Sequence, residues 1–199
     1  MKAIIPVAGF GTRLRPHTHT QPKALMHVAG KAILAHIIDE LVAVGVDEVV
    51  LVTGYLGEKI EAFAREHYRD LRLHFVAQDV PLGNGHAVYV AREHLDGKPV
   101  VLMFGDTIIK GDLAGLLARR ESLAGVKPVD DPRRLGVVEL DSHGRITKFV
   151  EKPEHPTTNL ALIGVYHIWN SSALADALDR LVRENRQARG EFWLADGLQ

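Results

Sequence analysis

The chain has 199 residues, a formal net charge of −1 and no cysteine. This length and a hydrophobic fraction of 46% are typical of a globular protein with a sizeable core, and they argue against a chain that is disordered throughout. Without cysteine, the chain has no disulfides, thiolate zinc sites or cysteine nucleophiles. The near-neutral charge argues against a general nucleic-acid binder, and no apolar window reaches the roughly 18 residues of a membrane span.

The first two-thirds of the chain alternates short apolar runs with amphipathic segments. The apolar runs predict strands at residues 2–7, 48–53, 73–76 and 100–104. Apolar residues at helical spacing predict helices at residues 33–44, 56–67 and 86–94. Strands that alternate with helices indicate βαβ units, so we predict an α/β fold with a doubly wound, mostly parallel (mixed) sheet that is Rossmann-like.

The pattern changes after Asp106. A helix is predicted at residues 112–120, followed by strands at 125–129, 136–140, 145–150 and 161–169 and a helix at 172–183. Turn signals separate these strands, and we expect some of them to be antiparallel and added at the edge of the sheet. With no repeat or linker in the sequence, we predict one domain over residues 1–199.

The two ends of the chain also carry expectations. Arg13, Arg15 and Pro16 interrupt the first apolar run, so we expect no signal peptide and a cytoplasmic location. Residues 191–199 (EFWLADGLQ) begin a new apolar segment without a cap or a polar tail. We therefore expect the native chain to continue past Gln199, with the domain truncated at its C-terminus.

The loop after the first predicted strand, AGFGTRLRP at residues 8–16, is the most informative segment. Ligands of α/β sheets bind outside the carboxyl ends of strands, and Gly9 and Gly11 allow backbone N–H groups to approach an anion closely. Arg13 can donate two parallel hydrogen bonds to phosphate oxygens. Five cations and no acid lie between Met1 and Ile38, which favours an anion site here. The alternative is a plain tight turn beside solvated lysines.

Two familiar phosphate motifs do not fit this loop. A dinucleotide fingerprint needs glycine at the position of Leu14, and a Walker loop needs Gly-Lys-Ser/Thr. A phosphate loop of another type remains. Lys23 follows it in the acid-free stretch and can return to the same phosphates as a point charge.

Asp106 is the second anchor, because it follows the apolar run VVLMFG at residues 100–105. Its predicted place is the carboxyl end of a central strand, at the same sheet edge as the glycine loop. One carboxylate together with phosphate oxygens suits Mg²⁺. The alternative is a helix N-cap or a turn aspartate.

Residues 8–34 (AGFGTRLRPHTHTQPKALMHVAGKAIL) resemble the signature of the sugar-phosphate nucleotidyltransferases, or NDP-sugar pyrophosphorylases. That signature is Gly-x-Gly-Thr-Arg-Leu-x-Pro-x-Thr, then Pro-Lys-x-Leu, then Val-x-Gly-Lys. Further resemblances follow in the family's order over essentially the whole chain, at residues 52–55, 78, 82–87, 104–106, 136–138, 151–153, 159 and 164–166. Within this family, the chain resembles the glucose-1-phosphate thymidylyltransferases and uridylyltransferases.

The resemblance implies a role for each matching position. The implied catalytic residues are Arg13, Lys23 and Asp106, with Asp106 holding Mg²⁺ as the cofactor. The implied nucleotide-binding residues are Ala8, Gly9, Gly11, Thr12, Gln78, Gly83 and Asn84. The implied sugar-phosphate-binding residues are Gly136, Glu151, Lys152 and Asn159.

The implied reaction is attack of a sugar 1-phosphate oxygen on the α-phosphorus of a nucleoside triphosphate, which releases pyrophosphate. We favour glucose 1-phosphate with dTTP or UTP. Residues 82–87 also resemble the loop of N-acetylglucosamine-1-phosphate uridylyltransferases, and mannose 1-phosphate with GTP is a third option. The partners are then these two small molecules, with no nucleic acid and no membrane, while a homo-oligomer is left open.

One departure from the family pattern leaves room for functions other than nucleotidyl transfer. The family carries a second metal aspartate in a Trp-x-Asp-x-Gly setting, which neither Trp169 nor Trp193 opens. We expect that acid beyond Gln199, since Asp196 is a weak substitute. The departure favours a non-catalytic module that binds a nucleotide or a sugar nucleotide. An NAD-binding oxidoreductase is a further alternative, against which Leu14 argues.

Overall fold

The computed structural model describes all 199 residues as ten strands and six helices, joined in places by short 3-10 turns. The strands are β1 (Lys2–Pro6), β2 (His27–Val28), β3 (Lys31–Ala32), β4 (Glu48–Thr53), β5 (Arg72–Ala77), β6 (Val100–Met103), β7 (Leu123–Pro128), β8 (Gly136–Leu140), β9 (Ile146–Glu151) and β10 (Leu160–Ile168). The helices are α1 (Ile33–Ala43), α2 (Gly57–His67), α3 (Asn84–Val90), α4 (Leu113–Leu117), α5 (Ser171–Arg183) and α6 (Leu194–Leu198).

Eight of the strands form one mixed sheet in the order β5-β4-β1-β6-β10-β8-β9, and β7 pairs with β10 beside this path. The strands β5, β4, β1 and β6 run parallel to one another. β10 is antiparallel to β6, β7 and β8, and β8 is antiparallel to β9. The predicted α/β class with a mixed sheet is therefore confirmed, with one half of the sheet parallel and the other antiparallel.

The parallel strands are apolar on both faces because helices cover both faces. Along β1, Ala3 and Ile5 pack into a core with α1, α2 and α4, whereas Ile4 packs into a second core with α3, α5 and α6. This alternation explains why the first half of the sequence has nearly continuous apolar runs. Because β1, β4 and β6 are parallel, their carboxyl ends lie at the same edge of the sheet.

The antiparallel part differs from the prediction in one respect. The strand β10 does not lie at the sheet edge, because Val165–Ile168 pair directly with the central strand β6. Its pairing with β7 is interrupted between Leu162 and Tyr166, where Gly164 has a φ of 77°. The interruption allows β10 to pair with β6, β7 and β8 along its length. Short-range sequence patterns do not reveal these pairings.

Several boundaries also differ. The helix predicted at 86–94 is shorter and begins at Asn84, and a 3-10 turn follows at Arg92–His94. The helix predicted at 112–120 covers only Leu113–Leu117, with Asp112 as its N-cap through a 2.7 Å hydrogen bond from the Gly115 amide. The β2–β3 hairpin was not predicted. None of the helices has the length and hydropathy that a membrane crossing requires.

The C-terminal residues 191–199 fold back over α3 and do not extend away from the fold. Phe192, Trp193, Leu194 and Ala195 are buried. The Phe192 amide donates to the Leu82 carbonyl at 2.8 Å, and the Gly85 amide donates to the Phe192 carbonyl at 2.9 Å. This segment therefore closes one wall of the region described next.

Candidate active site

A cavity of about 460 Å³ opens at the carboxyl ends of β1 and β6. Ten of the fourteen residues that the sequence singled out line it: Ala8, Gly9, Gly11, Thr12, Arg13, Lys23, Gln78, Gly83, Asn84 and Asp106. They come from four separate segments of the chain, and the parallel sheet brings them to one edge. The whole predicted nucleotide group thus lies around one cavity, which we call the first cavity.

The loop after β1 holds its shape through its own contacts. Gly11 has a φ of 60°, the left-handed region that favours glycine, and a Cβ atom there would lie 2.9 Å from Thr18 Cγ2. The buried Thr18 hydroxyl donates to the Gly11 carbonyl at 2.9 Å. From α2, Lys59 Nζ donates to the Thr20 carbonyl at 2.6 Å. The loop is therefore anchored by the fold and not only by a ligand.

Gly9 is different, because no protein atom lies within 4 Å of the position that its Cβ would occupy. It is exposed, and its φ is not in the left-handed region. Neither packing nor backbone conformation therefore requires glycine here. Open space beside a backbone N–H at a strand's carboxyl end is what close approach of a phosphate needs.

The first cavity contains a free cation and an ion pair. The exposed Arg13 makes no ion pair or hydrogen bond within the protein. Lys23 Nζ lies 2.6 Å from Asp106 Oδ2, with side chains 34% and 49% exposed. Ion pairs this exposed contribute only about 0–1 kcal/mol, so phosphate oxygens can take over Lys23 at little cost. Lys23 therefore neutralises the charge of Asp106 in this structure.

The predicted base-reading residues form a compact corner of the first cavity. Gln78 is 6% exposed, and its Nε2 donates to the Gly83 carbonyl at 3.1 Å and contacts His86 Nδ1 at 3.0 Å. The Oε1 oxygen of Gln78 has no hydrogen-bond partner in the protein. Because this residue also lines the cavity, its oxygen is available to a donor on a base edge.

Asn84 has a structural contact that the sequence did not indicate. Its Oδ1 accepts a 2.8 Å hydrogen bond from the Leu194 amide, which ties α3 to the C-terminal segment. Gly83, with a φ of 100°, faces the Phe192 carbonyl so closely that a Cβ would lie 2.5 Å from it. The predicted base loop is therefore held by residues 191–199.

A second cavity of about 360 Å³ adjoins the first. Asn84, Phe104 and Asp106 line both cavities, so Asp106 stands at their junction. Two of the predicted sugar residues, Gly136 and Glu151, line the second cavity. A Cβ on Gly136 would lie 2.7 Å from Glu151 Oε2, so glycine leaves the space that this carboxylate uses.

Two polar side chains, those of Glu151 and Tyr166, line the second cavity among apolar residues. The side chain of Glu151 is 13% exposed, and burial raises its pKa, opposed by Lys152 and supported by Asp196 and Glu191. Tyr166 also lines the cavity, and burial together with Glu151 raises the pKa of its hydroxyl. The hydroxyl has no hydrogen-bond partner in the protein. A carboxyl and a hydroxyl that converge in a pocket suit a polyhydroxylated ligand.

Two predicted sugar residues, Lys152 and Asn159, line neither cavity. Lys152 Nζ lies 3.7 Å above the ring of Trp193 and 3.9 Å from Glu151 Oε1. Asn159 is exposed, and its carbonyl accepts a hydrogen bond from Val129. The structure does not bring these two side chains to the cavity that holds Gly136 and Glu151.

Three charged residues outside the implied set of site residues also line the cavities. Lys127 and Arg134 line the second cavity, and neither side chain makes an ion pair or a hydrogen bond within the protein. Glu191 lines the first. The sequence predicts a solvated turn for the Asp131-Pro132-Arg133-Arg134 run, with contact to the sugar phosphate as the alternative. The structure places Arg134 of this run at the second cavity. No local motif distinguishes Arg134 from Arg133.

The arrangement defines an α/β nucleotide-binding type of site, with a glycine loop at the carboxyl ends of parallel strands and an adjoining polar pocket. The model of the nucleotidyl transferase family matches residues 2–192. The chain therefore belongs to the nucleotidyl transferase family, as the motifs of residues 8–34 indicated.

Individual relatives agree with this assignment. The chain is 35% identical to the UTP–glucose-1-phosphate uridylyltransferase AglF of Haloferax volcanii, over 94% of this chain and 85% of that protein. It is 38% identical to a glucose-1-phosphate thymidylyltransferase of Streptomyces antibioticus, over 83% of this chain and 49% of that protein. It spans about half the length of several curated relatives that it matches.

The fold is also that of a solved structure. A UDP-glucose pyrophosphorylase crystallised with UDP-glucose superposes with a TM-score of 0.87 at 22% sequence identity. The match covers 99% of this chain and 84% of that chain. At this identity the likeness establishes the α/β fold with its mixed sheet.

Proposed function

We propose that this protein transfers a nucleotidyl group from a nucleoside triphosphate to a hexose 1-phosphate and releases pyrophosphate. The observation that carries the proposal is the pair of adjoining cavities that share Asp106. One cavity has the glycine loop and a free arginine, and the other has buried polar groups and two free cations. Two anionic substrates bound in these cavities would meet with their phosphates at Asp106.

The chemistry requires positioning and charge neutralisation more than proton transfer. A sugar 1-phosphate is already an anion at neutral pH, so its oxygen attacks the α-phosphorus without a general base. Arg13, at the first cavity, neutralises charge that accumulates on the departing pyrophosphate. Lys23 exchanges Asp106 for phosphate oxygens. Backbone N–H groups near Gly9 and Gly11 bind the triphosphate.

Mg²⁺ fits the donor set. Asp106 presents a half-exposed carboxylate next to the space for phosphates, and Mg²⁺ is typically bound by one or two carboxylates plus phosphate oxygens. Asp106 would hold the ion, and the ion would supply charge neutralisation at the reacting phosphate. The second metal aspartate predicted beyond Gln199 stays a prediction.

The favoured substrates are glucose 1-phosphate with UTP or dTTP. Two relatives at 35% and 38% identity are named for these pairs. Gln78 and Gly83 are the residues through which base choice would act, since one hydrogen bond to a base edge is worth about 1–3 kcal/mol. The alternatives are N-acetylglucosamine 1-phosphate with UTP and mannose 1-phosphate with GTP.

The test is pyrophosphate release in the presence of Mg²⁺, with UTP, dTTP, GTP, ATP and CTP each combined with the 1-phosphates of glucose, N-acetylglucosamine and mannose. It should be run on the 199-residue chain and on any longer natural form. We expect release with one pyrimidine nucleotide and glucose 1-phosphate, dependent on both substrates.

The other outcomes separate the alternatives. Activity only in a longer form would place an essential group beyond Gln199. No activity in either form, with nucleotide still bound in calorimetry, would overturn the proposal in favour of a non-catalytic binding module. Release with a different pair would keep the reaction and correct the substrates.

A further inference from the structure

A cluster of potential metal ligands lies at the opposite edge of the sheet from the cavities. Glu48 is the first residue of β4, His74 lies in the neighbouring strand β5, and His94 ends the 3-10 turn after α3. Glu48 pairs with Arg72 and Val50 pairs with His74, so Glu48 and His74 project from the same face of the sheet. That face also packs against α3, which brings His94 to the same place.

We propose that Glu48, His74 and His94 bind a divalent transition metal ion such as Zn²⁺. Each residue offers one ligand atom, and these three atoms lie within 4.8 Å of one another. His74 Nε2 is 3.3 Å from Glu48 Oε1, and the rings of His74 and His94 have centroids 4.9 Å apart. Two imidazoles and one carboxylate form a common ligand set for Zn²⁺ with an open position.

The spacing requires only small side-chain movements. Ligands at about 2.0–2.1 Å from a tetrahedral zinc ion lie about 3.3 Å from one another. The His74–Glu48 pair already has this separation. His94 can close the remaining gap by rotating about its side-chain bonds, because the cluster is only partly buried. A fourth ligand from water completes the tetrahedron.

Two cations compete for Glu48, and each has another partner. Lys2 Nζ lies 3.6 Å from Glu48 Oε1 but also 2.9 Å from the His94 carbonyl and 3.4 Å from Asp96. Arg72 lies 3.3 Å from Glu48 Oε2 and 2.8 Å from Asp47 Oδ2. Both cations remain paired if the metal takes Glu48. Glu48 can therefore bind a metal ion without leaving either cation unpaired.

The consequence is a clamp that joins two strands to the turn after α3. It would act on stability and not on the nucleotidyl reaction, because the cluster shares no residue with either cavity. A metal bound only by the folded chain raises the unfolding temperature in proportion to the logarithm of its free concentration. This inference is independent of the proposed function.

The experiment is titration of tag-free, metal-free chain with Zn²⁺ against a chromophoric chelator, together with thermal unfolding and the visible absorption of a Co²⁺ complex. We expect one Zn²⁺ per chain at this site and a rise in the unfolding temperature. His74→Gln and His94→Gln should each weaken binding by more than about 100-fold, since even residues that only support ligands cost 10- to 100-fold.

Two controls make the result decisive. His155→Gln changes an exposed histidine outside the cluster and should bind Zn²⁺ as the natural chain does. Asp106→Asn should also retain the site, which separates it from metal bound at the cavities. The proposal is overturned if the natural chain binds no more Zn²⁺ than the His74→Gln, His94→Gln double variant, or if both single variants keep the full affinity and the Co²⁺ spectrum while circular dichroism shows them folded.

Discussion

The two cavities are built by different kinds of structure. The first lies at the ends of parallel strands and is shaped by backbone, with Gly9, Gly11 and Gly83 at its wall. The second lies over antiparallel strands and presents side chains, among them Glu151, Tyr166 and Lys127. A backbone-lined site can accept any ligand with phosphates in the right place, whereas a side-chain-lined site can change its ligand by single substitutions. If the second cavity binds the sugar 1-phosphate as proposed, the choice of sugar is more easily altered by substitution than the binding of the triphosphate.

Asp106 belongs to both halves, and its loss should have the largest effect. Asp106→Asn removes the carboxylate proposed to hold Mg²⁺, an ion worth several kcal/mol of transition-state stabilisation. We expect turnover to fall by at least about a thousandfold and the response to added Mg²⁺ to vanish. Nucleotide affinity without metal should stay the same or rise, because a negative charge beside the phosphates is lost. A variant with normal Mg²⁺ dependence would make Asp106 a structural residue.

Arg13 tests the backbone-lined half alone. Arg13→Ala should lower turnover by about a hundredfold or more, the usual scale for losing a group that stabilises transition-state charge. Arg15→Ala is the matched control, because Arg15 lies in the same loop and is exposed but lines neither cavity. Steady-state pyrophosphate release measures both variants. Equal losses in the two would mean that the loop needs only general positive charge.

Lys127 and Arg134 test the side-chain-lined half. If they contact the phosphate of the sugar substrate, Lys127→Gln and Arg134→Gln should each raise the KM for the sugar 1-phosphate by about tenfold, the scale of one charge-assisted hydrogen bond. The dissociation constant for the nucleotide should not change. Arg133→Gln serves as control, because Arg133 pairs with Asp131 and lines neither cavity. A rise in the KM for the nucleotide instead would mean that the two halves do not divide the substrates.

Gly9 and Gly11 lie in the same loop, and we expect one to serve ligand binding and the other to serve stability. Gly11→Ala should lower the free energy of unfolding by about 1–2 kcal/mol, because its left-handed backbone disfavours a Cβ and Thr18 lies in the way. Gly9→Ala should leave that free energy unchanged and weaken nucleotide binding. Chemical denaturation and calorimetry measure the two quantities. Normal nucleotide affinity in Gly9→Ala would remove Gly9 from the site.

The parallel half of the sheet could be predicted largely from the sequence, because the patterns that encode it lie within short stretches of chain. Buried strands such as residues 100–104 have continuous apolar runs, and the residues after them meet at one edge because parallel strands share a direction. This is why all seven proposed nucleotide residues lie around one cavity. The glycine loop was visible because its chemistry lies within a few consecutive residues.

The antiparallel half could not be predicted to the same depth. Its residues meet through pairings that span long stretches of chain, such as β10 with β6, β7 and β8. Lys152 and Asn159 matched the family pattern but line neither cavity. Lys127 carried no signal and Arg134 lies in a run predicted as a solvated turn, yet both line the second cavity. The tertiary contact of residues 191–199 with the base loop was also invisible, since no local pattern encodes what an apolar segment packs against.

Glu151 carries the smallest effect and separates function from stability in the second cavity. Its raised pKa means that the folded state holds the proton more tightly than the unfolded state does. The stability associated with that proton is present below the unfolded pKa and is lost as pH rises through the folded pKa. Glu151→Gln should therefore raise the free energy of unfolding at pH 7 by about 0.5–2 kcal/mol, the usual size of a stabilising substitution. It should also weaken sugar binding.

Glu139→Gln should change the free energy of unfolding at pH 7 in the opposite direction and serves as the comparison. A hydrogen bond from Thr157 lowers the pKa of the partly exposed Glu139 carboxylate, so its contribution to stability is present above the unfolded pKa and is lost as pH falls through the folded pKa. Denaturant unfolding of both variants between about pH 2 and 8 measures the difference, because the lowered pKa of Glu139 and the raised pKa of Glu151 fall on opposite sides of the ordinary value of about 4.3. If Glu151→Gln were destabilising at pH 7, the Glu151 carboxylate would stabilise the folded protein. Its position in the second cavity would then no longer support a role in sugar binding.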